Sequence, residues 1–105
     1  MDANIALQLS LLYYRDNQKD KSFSELQKAV AIFNDFSNAR WYLALFYEER
    51  GELDNALAEL YKIKKLNPGN DFLLKKIKEL EQGKRSIPPE KVTGFKPLEE
   101  KQGNQ

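Results

Sequence analysis

The 105-residue sequence contains no cysteine and no histidine. Without cysteine there is no disulfide, no thiolate zinc or iron–sulfur site and no sulfur nucleophile. Without histidine the commonest general base, the commonest neutral metal ligand and the usual switch near neutral pH are missing as well. No glycine-rich phosphate loop or nucleophile constellation makes up for them. The neighbouring acids Glu48 and Glu49 do not form a catalytic pair, because consecutive helix residues point about 100° apart and cannot flank one substrate atom. No enzyme activity and no cofactor are expected.

An excess of one charge is also missing. Seventeen cations against 16 acids leave a formal charge of +1, which gives no overall field to attract nucleic acid or an anionic membrane surface. The balance hides a gradient, with six cations against ten acids in residues 1–60 and eight against three in 61–86. The basic cluster Lys62, Lys64, Lys65, Lys75, Lys76, Lys78, Lys84 and Arg85 reads as a solvated face. Stacking aromatics and a recognition motif are absent beside it, so nucleic acid is not an expected partner. No apolar run approaches the roughly 20 residues that cross a bilayer. The start "MDANIALQLSLLYYRDNQ" has an acid at its second position and no basic leader, so no membrane span and a cytoplasmic location are expected.

What the chain does have is helical periodicity, and 41% hydrophobic residues to build one small core. Ile5, Leu9 and Leu12 share helical spacing between Asn4 and Tyr14, and the polar run "RDNQKDKS" stops that pattern. "SFSE" at Ser22–Glu25 has the form of a capping box opening a second helix, with Phe23, Leu26, Ala29, Val30 and Phe33 on one side. A third helix starts near Ser37 or Asn38 and ends at Arg50, where Gly51 can take the left-handed closing conformation. Asp54 or Glu52 opens the fourth, whose stripe Leu53, Ala56, Leu57, Leu60, Ile63 and Leu66 is stopped by Pro68–Gly69. Asn70 or Asp71 caps a fifth, shorter helix with Leu73, Leu74, Ile77 and Leu80 inward and its lysines outward. The remainder, 83–105, holds three of the four prolines and has no periodicity. It reads as a flexible tail, with docking through Phe95 onto this domain or a partner as the second reading.

The chain also matches itself at an offset of 34: Leu9 with Leu43, Tyr13 with Tyr47, Leu26 with Leu60. That is the tetratricopeptide period, whose pattern runs W-x2-L-G-x2-Y, then A-x3-F, then P. Residues 37–70 carry Arg40-x2-Leu43-Ala44-x2-Tyr47, then Ala56-x3-Leu60, then Pro68, and residues 3–36 carry a more degenerate copy. The chain resembles a tetratricopeptide repeat protein over roughly residues 3–70. Arg40 replaces the large aromatic of the motif, Trp41 is displaced by one, and Ile63 stands where a small residue is usual.

The resemblance implies an all-α fold, an α-solenoid of two helical hairpins (3–36 and 37–70) plus a capping helix over 71–82. The small residues Ser10, Ala44 and Ala56 would let paired helices approach closely, and each unit would need a neighbour to cover its remaining apolar face. It further implies a non-enzymatic module that binds a protein or peptide in a concave groove lined by the first helix of each hairpin. The groove positions are Asn4, Leu7, Leu11, Tyr14 and Arg15 in the first unit, and Asn38, Trp41, Leu45, Glu48 and Glu49 in the second. Phe72 and Lys75 of the cap extend them. The family's carboxylate-clamp positions read Leu7, Leu11 and Tyr42, which argues against capture of a C-terminal carboxylate. Leu7, Leu11, Trp41 and Leu45 form an apolar strip with a polar rim, the anatomy of an interaction site. The same residues can instead be core, and the strip or an uncovered end face can instead join copies of the chain into a homo-oligomer.

Overall fold

A computed structural model describes residues 2–83, and among them the architecture is all-helical. Five helices follow one another: α1 (Ala3–Arg15), α2 (Lys19–Ile32), α3 (Ser37–Glu49), α4 (Leu53–Leu66) and α5 (Asp71–Glu81). The tail assigned to 83–105 lies, apart from Gly83, outside the described residues. Each connection is three or four residues long, so successive helices double back and pack on one another.

The 34-residue repeat is present in the backbone. Helices α1 and α3 have 13 residues each and start 34 residues apart, while α2 and α4 have 14 each with the same offset. Their connections also correspond. Asn17 and Gly51, again 34 apart, are both left-handed, at φ 60° and 78°. In each case that residue's amide donates to the carbonyl three back (Tyr14, Glu48) and the next amide to the carbonyl five back (Tyr13, Tyr47). This Schellman arrangement satisfies carbonyls that the helix end would otherwise leave open. Nothing lies within 4 Å of a Cβ added at Gly51, so glycine is favoured there by its backbone conformation rather than by crowding.

The expected cap at Asn70 is present, and Asp2 supplies a second, unexpected one. The Asp2 carboxylate accepts from the Ile5 amide at 2.9 Å, and the Asn70 side chain from the Leu73 amide at 2.8 Å, each worth about 1 kcal/mol. The capping box at Ser22 is corrected. Helix α2 already begins at Lys19, and the Ser22 hydroxyl donates to the Ser10 carbonyl at 2.7 Å across the α1–α2 crossing. The left-handed turn at Asn17 brings the chain into the helix one turn early, which leaves Ser22 in the interior.

That crossing also decides which side of α1 faces inward. Ala3, Ala6, Leu7 and Ser10 are buried, whereas Ile5 and Leu12 of the expected stripe are 50% and 56% exposed. Both stripes have helical spacing, but only small side chains admit α2 at close range. Leu26 and Leu60, equivalent in the two hairpins, are fully buried, and truncating such a leucine to alanine costs about 2–5 kcal/mol.

Arg40, standing where the repeat motif has an aromatic, is a buried cation. Its Nε donates to the Asn34 carbonyl at 2.8 Å and a terminal nitrogen to Glu59 Oε1 at 2.7 Å, which ties α3 to the preceding turn and to α4. Arg40→Met keeps the packing of the stem but leaves Glu59 without its cation. A loss of about 3 kcal/mol is expected, the low end for a broken buried pair because Glu59 retains some water contact. Urea unfolding followed by circular dichroism measures it, and an unchanged midpoint would remove Arg40 from the stabilising set.

Candidate functional site

A cleft runs between α1 and α3. Leu11 and Tyr14 line it from α1, Tyr42, Leu45 and Phe46 from α3, and Ser10, Ser22 and Leu26 form its floor. The serine hydroxyls donate to the carbonyls of Leu7 and Ser10, both at 2.7 Å, so the floor presents no spare donor and recognition there is by shape and apolar contact. Tyr14 meets Phe46 edge-on at 5.6 Å between ring centroids, and Lys19 Nζ sits 5.7 Å from the Tyr14 ring. Lys19 also bridges to Glu49 at 3.1 Å, linking the start of α2 to the end of α3. Behind the cleft, Phe23 contacts both Phe46 and Tyr47 edge-on at 5.7 and 5.5 Å, and the Arg50 guanidinium lies 4.1 Å from the Phe23 ring centroid.

Of the twelve residues expected at a binding groove, the cleft brings together Leu11, Tyr14 and Leu45, while Glu49 bridges to Lys19 at its edge, Phe72 packs on Trp41 and Lys75 is exposed on α5. Asn4 and Arg15 are exposed at opposite ends of α1, and Leu7 and Asn38 are buried. Trp41 and Glu48 lie at a different seam, between α3 and α5. The Trp41 ring is fully buried and packs on Phe72 at 5.3 Å between centroids, with no hydrogen-bond partner for its indole nitrogen. An exposed aromatic anchor at Trp41 and a solvated rim at Asn38 and Glu48 are therefore both corrected. Periodicity gives the azimuth of a side chain on its own helix, not the helix that lies opposite. Here α5 lies opposite Trp41 and Glu48.

Sequence reasoning placed Lys76 on a solvated basic face. In the structure Lys76 Nζ lies 2.6 Å from Glu48 Oε1, and both side chains are only 2% exposed. The contact is coulombic rather than a well-aligned hydrogen bond, since neither Glu48 oxygen has a hydrogen-bond partner. A signal for this burial was available: Lys76 falls on the same helical stripe as Leu73 and Leu80. Phe46 is absent from the expected groove residues and Tyr42 is expected there only as a clamp position, yet both line the cleft wall.

Against protein-family models, curated proteins and solved structures, the chain has no match. What the site can do is therefore argued from its geometry. Among the described residues no cluster of carboxylates is arranged to hold a metal ion, and no helix is long and apolar enough to cross a membrane.

The Glu48–Lys76 pair closes the α3–α5 seam at the cost of desolvating two charges. Lys76→Met leaves a carboxylate uncompensated in the interior, with an expected loss of about 3–5 kcal/mol. Glu48→Met combined with Lys76→Met should recover most of that loss, because an apolar pair of similar volume is often neutral or better. Denaturation midpoints of the two single variants and the double variant measure the coupling; strictly additive losses would mean that the two charges act independently.

Proposed function

We propose that this chain is a non-enzymatic module that binds a protein or peptide along the face shared by α1, α3 and α5. In this reading it is built as two tetratricopeptide-like hairpins with α5 as the capping helix. The α1–α3 cleft carries the proposal, because Leu11, Tyr14, Tyr42, Leu45 and Phe46 offer an apolar slot on a rigid helical frame. The 34-residue recurrence of helix starts and left-handed closures supports the repeat architecture. Leu7 and Trp41 stand behind this surface as packing, while Asn4 and Arg15 supply its polar ends. The slot is shallow, with room for about 10 Å³, so an extended segment would lie across its mouth, held by contact of an apolar side chain with Leu11 and the Tyr14 ring.

Selection from a random-peptide display library tests the proposal. Peptides enriched in aromatic and aliphatic residues are expected, with capture by the Leu11→Asp or Tyr14→Ala variant falling roughly tenfold or more while helicity is retained. Enriched peptides indifferent to both substitutions would remove the cleft as the site.

One observation favours a second reading, assembly of copies of the chain. Ile5 and Leu12 are about half exposed on the side of α1 that no described helix covers, and such an edge can be buried by self-association. Sedimentation equilibrium over a wide concentration range would then show a dimer that Ile5→Glu dissociates. A monomer at the highest concentration would sink this reading.

A further inference from the structure

We infer that the open edge of α1 seats an amphipathic helix of a partner protein, one whose first turn carries an acid followed by a base. The inference rests on the repeat architecture and concerns a surface beside the cleft, not the cleft itself. The offset of 34 pairs Ile5, Leu9, Leu12 and Tyr13 of α1 with Ala39, Leu43, Phe46 and Tyr47 of α3. On α3 this edge is sealed. Ala39, Leu43 and Phe46 are at most 4% exposed, and α2 packs there through Phe23, whose ring meets Phe46 and Tyr47. On α1 the same edge is open, with Ile5 and Leu12 at 50% and 56% exposure and Leu9 and Tyr13 partly exposed. Spaced three and four residues apart, Ile5, Leu9 and Leu12 form one continuous apolar strip. The chain closes the equivalent strip of α3 with a helix, so the way α2 lies on α3 describes how the α1 strip is filled.

The charges at the end of the strip select the helix. On α3 the edge ends at Glu49 and Arg50, and α2 answers with Lys19, 3.1 Å from Glu49, and Asp20, 3.9 Å from Arg50. Their equivalents on α1 are Arg15 and Asp16, the same two positions with the charges exchanged. Both are exposed; Asp16 accepts from the Gln18 amide, and neither enters an ion pair among the described residues. A helix lying on α1 as α2 lies on α3 therefore needs an acid at the place of Lys19 and a base at the place of Asp20. That condition rejects the helices a second copy has to offer in this geometry. Its α2 would set Lys19 against Arg15 and Asp20 against Asp16, and its α4, with Leu53 and Asp54 at those places, would set an acid against Asp16. A helix of another protein remains, with an aromatic side chain at the place of Phe23 to lie against Leu12 and Tyr13.

The probe is a synthetic peptide of residues 17–36 carrying Lys19→Glu and Asp20→Lys, with the unsubstituted peptide as its pair. Both are stapled across the exposed positions Ser24 and Lys28, so that they are helical before they bind. Titrated into the full chain, the exchanged peptide is expected to move the amide resonances of Ile5, Leu9 and Leu12. It should bind about fivefold or more tighter than its pair, since two attractive ion pairs replace two repulsive ones. Arg15→Glu combined with Asp16→Lys should invert that preference, which a loss of folding could not mimic. Equal affinities, shifts confined to other surfaces, or no binding overturn the inference. Shifts at the same amides that follow protein concentration without any peptide assign the edge to a second copy and overturn it too. If the edge fails while display peptides still need Leu11 and Tyr14, the cleft remains a peptide site and only the helix seat is lost.

Discussion

Helix α3 is buried along ten consecutive residues without being apolar all round, and that constraint organises the molecule. A helix covered on every side is ordinarily hydrophobic on every side. This one carries Ser37, Asn38, Arg40 and Glu48 into the interior. A buried charge without a partner costs several kcal/mol, so the buried Arg40 and Glu48 each require a partner from a neighbouring helix. Helix α4 supplies Glu59 for Arg40, α5 supplies Lys76 for Glu48, and Asn67 after α4 donates to the Ser37 hydroxyl at 3.3 Å. These pairings are directional where hydrophobic burial is not. They specify which helix stands on which side of α3, while Leu26, Leu60, Ile63 and the aromatic group around Phe46 add non-directional apolar burial.

The two flanks of α3 consequently differ in chemistry. Towards α5 the seam is closed by Trp41, Phe72 and the Glu48–Lys76 pair, which makes the fifth helix an integral part of the core. Towards α1, the small residues Ala6 and Ser10 draw α1 onto α2 and leave a slot above Ser10, Ser22 and Leu26. The cleft on this frame follows from the close approach within a hairpin being tighter than the approach between hairpins. The exposed Ile5 and Leu12 reflect the same geometry from the other side, since a hairpin buries one edge against its neighbour and leaves the opposite edge uncovered.

The sequence was most informative where a single residue type decides backbone conformation. Gly51, Pro68 and Asn70 mark helix boundaries through left-handed geometry, a missing amide and side-chain capping, all of which act within a few residues. The offset of 34 was equally plain, and Asn17 now accounts for the first hairpin's turn, where a left-handed asparagine stands in for glycine. Legibility failed where two helical stripes compete on one helix, as in α1, and where a polar residue can face either water or a distant partner. Ser22 had the local form of a cap and became a crossing contact. Lys76 had the local form of a solvated lysine and became half of a buried pair.

By itself the sequence determined the number and order of the described helices, their repeat offset and the chemistry missing from the chain, because these depend on residue type and short-range backbone energetics. Tertiary structure alone decided that Trp41 packs on Phe72, that Glu48 and Lys76 share the interior, and that Leu11, Tyr14, Tyr42, Leu45 and Phe46 frame a cleft. Those outcomes depend on which helix lies opposite which. The crossing of small side chains and the pairing of buried charges set that between residues far apart in the chain.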